Sequence, residues 1–168
     1  MQVRKLLLVA VLGAGLGSPA WLAYAQHKHD AGHDAAPEAA AKKPAADPRT
    51  AVRFPAALRE HTLTNMRDHL LALAEIQESL SKGAFDAAGK IAEERLGMTS
   101  LKLHGAHEVA KYMPKGMQEA GTAMHRSASQ FALEAQNASV TGDLKPALAA
   151  LSKVTQACVA CHAGYRLH

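Results

Sequence analysis

Both cysteines of the chain fall in its last eleven residues, in the segment Cys158-Val159-Ala160-Cys161-His162. Two thiols three apart with a histidine directly after them form the attachment pattern of a c-type haem. The chemistry requires that spacing. Two thiols add across the two vinyl groups of one macrocycle, so they must reach opposite edges of it. On a helix, residues three and four apart lie on one side, so Cys158, Cys161 and His162 project together. The imidazole then serves as the proximal axial ligand, and the thioethers hold the ring beside it. A disulfide would enclose only two residues and would stabilise little. A reactive dithiol normally opens a helix after a strand, and low-pKa thiols need a helix N-terminus or nearby cations. This segment lies near the end of a helical pattern instead. The expected cofactor is therefore one covalent haem c.

The first residues bear on where that chemistry takes place. Arg4 and Lys5 precede an apolar run from Leu6 to Gly17, and Ala23-Tyr24-Ala25 offers small residues where a signal peptidase reads. Residues 1–25 are expected to be a signal peptide. The run is short for a membrane span, which needs roughly 20 apolar residues. Export from a bacterial cytoplasm to the periplasm follows, with no membrane attachment after cleavage. The formal charge is +4, and cleavage removes Arg4 and Lys5 and no acid, leaving +2. Two haem propionates bring the sum near zero. Only seven aromatic residues and no basic block argue against a nucleic-acid partner.

Residues 26–50 are rich in Ala, Pro, Lys and His without apolar periodicity, which predicts a disordered linker. His27, His29 and His33 with Asp30 and Asp34 form a tract of a kind that can bind copper, nickel or zinc. From about Ala51 the pattern turns helical and defines a domain over 51–168. Leu63, Met66, Leu70, Leu73 and Leu80 form a stripe that also takes in Arg59 and Gln77, on a helix running to about Lys82. A second helix is predicted from Phe85 to about Leu96. The stretch from Met98 to Pro114 is ambiguous, with a short helix around His107 to Tyr112. In a third helix, Lys115 to Ser139, Met117, Gly121, Met124, Ala128, Phe131, Ala135 and Ala138 keep a four-three spacing. A turn at Thr141-Gly142 and an N-cap at Asp143 precede a last helix, Leu144 to about Arg166. Its stripe is Leu144, Leu148, Leu151, Thr155, Cys158, His162 and Tyr165. No sustained strand alternation is present. The expected fold is all-α, an antiparallel four-helix bundle with haem near the C-terminus.

The tail Cys158-Val-Ala-Cys161-His162-Ala-Gly-Tyr165-Arg166 resembles the cytochrome c′ family, the class II c-type cytochromes. So does Leu58-Arg59-Glu60-His61-Thr62-Leu63-Thr64-Asn65-Met66-Arg67-Asp68-His69 in the first helix, with Arg, Leu four on, Met seven on and His ten on. The resemblance covers about Phe54 to His168. It implies a four-helix bundle with haem between helices. It implies that Arg166 covers the proximal imidazole or pairs with a propionate, and that Arg59 lies near the propionates. It puts Leu63 on the distal face. Leu cannot ligate iron, so five-coordinate iron in an apolar distal pocket is implied.

Such a pocket admits a small neutral gas, nitric oxide or carbon monoxide in particular. The expectation is a gas-binding or electron-transfer haem protein rather than an enzyme, with a diatomic gas or a redox protein as partner. A homodimer stays open, since dimerisation is common in that family. Two alternatives stand beside it. One is a six-coordinate low-spin electron carrier with Met66, His61 or His69 as sixth ligand. The other is a haem-free metal binder using the N-terminal His tract. His104 and His107, three apart, are taken as surface or core residues, because no third ligand accompanies them.

Overall fold

The structure, a computed structural model, describes residues 46–168. The signal peptide, the His27 to Asp34 tract and most of the linker lie outside the described residues. What is described is predominantly helical. Strand β1 (Thr50–Val52) leads into α1 (Ala56–Ser81) and α2 (Phe85–Arg95), followed by a 3-10 turn (Met98–Leu101) and a short α3 (Ala106–Ala110). Helices α4 (Lys115–Thr141) and α5 (Lys145–Gly164) complete the helical part, and β2 (Tyr165–Leu167) closes the chain. Among the described residues no helix is long and apolar enough to cross a membrane.

The two longest helices start in the same way. Pro55 and Pro114 stand at their N-caps with φ −52°, ψ 145° and φ −55°, ψ 149°. Proline fixes φ and has no N–H to leave unsatisfied, so it suits a helix entry. Gly142 ends α4 at φ 74°, a left-handed conformation that glycine adopts without steric cost. Asp143 then accepts a hydrogen bond from the Lys145 N–H at 3.0 Å, one residue ahead of Leu144, which rather than the expected Asp143 is the N-cap of α5.

Small residues set the packing. Helix α4 packs against α5 and α2, and α2 packs against α1. The shared core is largely alanine: Ala88 and Ala92 of α2, Ala128, Ala132, Ala135 and Ala138 of α4, and Ala147 and Ala150 of α5. Phe131 and Ile76 are the largest side chains fully enclosed there. At Gly89 the α2 and α4 backbones approach so closely that a Cβ would stand 3.0 Å from the Ala132 carbonyl oxygen. A second, smaller core joins Val52, Phe54 and Val109 to Leu58, Met113, Met117, Tyr165 and Leu167.

Several sequence expectations need correction. The α1 face that is buried consists of Thr62, His69, Ala72, Ile76 and Leu80. Leu70 is 70% exposed and Gln77 is exposed, so the inward face lies about one residue to the side of the leucine stripe. In α5 the buried residues are Ala147, Ala150, Leu151 and Val154, while Leu148 and Thr155 face outward. Both errors have one cause: alanine fills the closest helix contacts, which leaves bulkier neighbours outside. The C-terminal residues Tyr165 to Leu167 are not helical. They pair in parallel with β1, with Thr50 opposite Tyr165, Ala51 opposite Arg166 and Val52 opposite Leu167. Helicity therefore begins at Ala56, and three residues per strand are too few to show a period.

Replacing Gly89 with Val should destabilise the fold by about 1–3 kcal/mol, the usual range for overpacking. Gly121 in α4 has nothing within 4 Å of a built Cβ, so Gly121→Ala should stabilise by up to about 1 kcal/mol. Urea unfolding monitored by circular dichroism measures both.

Candidate functional site

One cavity of about 450 Å3 gathers most of the residues singled out from the sequence. That volume is in the range of cofactor and small-molecule sites. Its walls come from α1, the Leu101–Ala110 stretch, α4, the end of α5 and β2.

Helix α5 contributes Cys161 and His162 to the wall. Cys158, one turn earlier, does not line the cavity; it is half-buried and packs against the main core. Burial pushes both thiols up from their ordinary range, and Cys158 adds to the effect on Cys161. Thiols so shifted are poor thiolate nucleophiles at neutral pH. This argues against reactive dithiol chemistry.

Helix α1 faces the same space with Arg59, Leu63 and Met66. Leu63 and Met66 are both half-buried. Residues predicted nearly a hundred positions apart therefore share one wall system. Arg166 also lines the cavity, from β2 rather than from a further turn of α5. Its Nε lies 3.4 Å from the Asp47 carboxylate, yet it has no hydrogen-bond partner among the described residues. Arg49 joins Arg59 and Arg166 on the rim. It is held by Asp47, with Nη2 2.7 Å from Oδ2, and Arg59 pairs with Glu60 at 3.0 Å.

The cavity differs from the wholly apolar pocket expected. Thr62, Asn65, His69, His104 and His125 lie on its wall beside Leu63, Met66 and Met124. His69, His104 and His125 are buried. His104 and His107 do not act together, since His107 is exposed. Burial, reinforced by His104 and His125, pushes His69 from 6.5 down to about 4, and Asp68 only partly opposes it. Burial also lowers His104, helped by His125. His125 is lowered by burial as well, while hydrogen bonds to the Leu96 and Gly97 backbone hold it partly up. The three rings are thus neutral at pH 7.

Sequence reasoning missed this trio as a group. The rings come from α1, the irregular stretch before α3, and α4, so no local spacing reveals them. His125 stands next to Met124 on a face read as core filler. Asp68 and Glu75 of α1 both engage Arg95 of α2, with Arg95 Nε donating to Asp68 Oδ2 at 3.1 Å. That pairing locks the α1 turn that carries His69.

No family model, curated protein or solved structure matches the chain.

The buried imidazoles make stability depend on pH. An unfolded His69 takes up a proton near 6.5, whereas the folded one resists until about 4. Between those values the unfolded chain binds more protons, so stability falls as pH falls. His69 alone should cost on the order of 2 kcal/mol between pH 7 and pH 5. Urea midpoints at the two pH values measure it, and His69→Gln should flatten the difference.

Proposed function

We propose that this chain is an exported c-type cytochrome of the cytochrome c′ kind, a four-helix bundle holding one covalent haem. Cys158 and Cys161 carry the thioethers, and His162 is the proximal ligand. Leu63 occupies the distal side, and Arg59 and Arg166 match the propionates. The protein binds a small neutral gas such as nitric oxide or carbon monoxide, takes part in electron transfer, or does both. Its location is the periplasm.

The observation that carries this proposal is the shared cavity. Cys161 and His162 of α5 stand on its wall with Leu63 and Met66 of α1, and these are the residues the two sequence segments name independently. Three further features support it. The cavity volume is suitable for a cofactor. The buried Arg166 Nε makes no hydrogen bond, although the Asp47 carboxylate lies 3.4 Å away, and a propionate could provide a better-placed acceptor. Four helices of 11 to 27 residues supply the packing partners that a bundle needs. When bound, the haem supplies a one-electron iron centre with an axial position for a ligand.

The remaining work falls to side chains of this chain. Leu63 would fill space beside the group without offering a lone pair and would keep water away from it. His162, exposed at the end of α5, would supply the imidazole that holds the iron. Arg49 and Arg166 share Asp47, and Arg59 pairs with Glu60, so a propionate would have to compete with these carboxylates for the arginines. The low-spin electron carrier remains a second proposal, because Met66 and His69 line the same cavity.

Absorption spectra of the oxidised and reduced protein separate the two. The gas-binding proposal predicts a high-spin oxidised spectrum and a shifted reduced spectrum on adding carbon monoxide. Met66→Ala should leave both unchanged. A low-spin oxidised form with no carbon monoxide shift overturns it. Conversion to high spin by Met66→Ala would establish Met66 as the sixth ligand.

A further inference from the structure

Helix α1 supplies Leu63 and Met66 to the cavity, yet the packed unit of α2, α4 and α5 holds it chiefly through α2. Its position depends on few contacts, and one of them is polar. Arg95, the last residue of α2, reaches two acids of α1 at once. Its Nε donates to Asp68 Oδ2 at 3.1 Å, and its Nη2 donates to the other oxygen of the same carboxylate. Nη2 also donates to the Asp68 backbone carbonyl at 3.2 Å, and Nη1 donates to Glu75. A forked pairing of this kind fixes direction as well as distance. The contact with the carbonyl holds the main chain of α1 and not just a side chain.

Asp68 and Glu75 are seven residues apart, about two helical turns, so they lie on one face of α1. A guanidinium held by both resists rotation and sliding of the helix. Those motions matter at the cavity. Leu63 and Met66 are separated by about 60° around the helix axis and about 4.5 Å along it. A movement of that order would exchange an apolar side chain for one that offers a thioether sulfur. The base of the clamp is anchored in turn. Leu96 follows Arg95, and its carbonyl accepts a hydrogen bond from His125 Nδ1 of α4 at 2.7 Å. The Met98 N–H donates to Ser129 Oγ of α4 at 2.9 Å. Contacts therefore run from α1 through Arg95 to α4, the helix that packs on α5. The Arg95 side chain is 22% exposed, so solvent screens the pairing only in part. Its hydrogen bonds hold the Asp68 carboxyl below the usual carboxylate range.

We infer that Arg95 is a positioning residue for the cavity: it fixes the rotation of α1, so that Leu63 rather than Met66 crowds the space where a ligand would sit. Arg95 does not itself line the cavity, so it acts only through α1. Its role toward the ligand rests on the gas-binding proposal; its role toward the cavity wall does not. Access to the distal side of a haem and the polarity there decide what the iron binds, and the clamp sets both from the far face of α1. Lysine at this place would keep the charge but lose the fork, so it should hold α1 incompletely.

Methionine-methyl NMR of the full-length protein tests the wall, because Met66 lies on it. In Arg95→Leu the Met66 methyl signal should shift and broaden, and Arg95→Lys should fall between that variant and the parent. Leu80→Ala weakens the core at the far end of α1 and should leave the Met66 signal in place, which separates positioning from loss of stability. In the same samples the reduced haem of Arg95→Leu should bind carbon monoxide at least about threefold more tightly than the parent, because Leu63 no longer crowds it. An unmoved Met66 signal in Arg95→Leu overturns the inference, and so does an equal movement in Leu80→Ala. If Arg95→Leu does not fold, Asp68→Asn, which leaves Glu75 as a partner, gives the same comparison. A moved Met66 signal with unchanged carbon monoxide affinity overturns the role toward the ligand. No carbon monoxide shift in the parent counts against the gas-binding proposal, and the Met66 signal then still decides the role of Arg95.

Discussion

The close packing of α2, α4 and α5 through alanine and glycine is the constraint on which the rest of the structure depends. Small side chains let these backbones approach until Gly89 nearly touches the Ala132 carbonyl. Helix α1 joins this unit through α2. Its inward face toward the cavity carries Leu63, Met66 and His69, and the end of α5 brings Cys161 and His162 to the same space. Were the α2–α4–α5 contacts looser, the walls would have no fixed separation. A cavity with chemistry on its walls is thus a product of tight packing elsewhere.

The two short strands extend the same logic. Pairing of β1 with β2 ties the residues before α1 to the residues after α5. That clamp holds Arg166 at the rim, and the small core around Val52, Phe54 and Val109 backs it. Chemistry at the end of α5 is positioned from two directions, by the helix itself and by the ribbon that follows it.

How much of this was legible in the sequence differed by element. Helix α4 could be read well, because Met124, Ala128, Phe131, Ala135 and Ala138 repeat at helical spacing and all are buried. Helices α1 and α5 were located correctly but turned wrongly. Leucine dominates a hydrophobic count, yet Leu70 and Leu148 are exposed while Ala72 and Ala147 are fully buried. Volume, not hydropathy alone, decides which residue enters a tight contact. The Cys158 to His162 segment carries its pattern locally, and the fold brings Cys161 and His162, though not Cys158, to the cavity wall. The His69, His104 and His125 group was not, because it exists only once three distant segments fold together. Buried histidines also broke the rule that polar positions mark the outer face.

The central claim is that Cys158 and Cys161 hold a haem covalently. Intact-mass measurement of the purified protein under denaturing conditions tests it directly. The expected result is the mass of the processed chain plus one haem, with no thiol left to alkylate. A chain at its bare mass, with two alkylatable thiols or a disulfide between them, would contradict it.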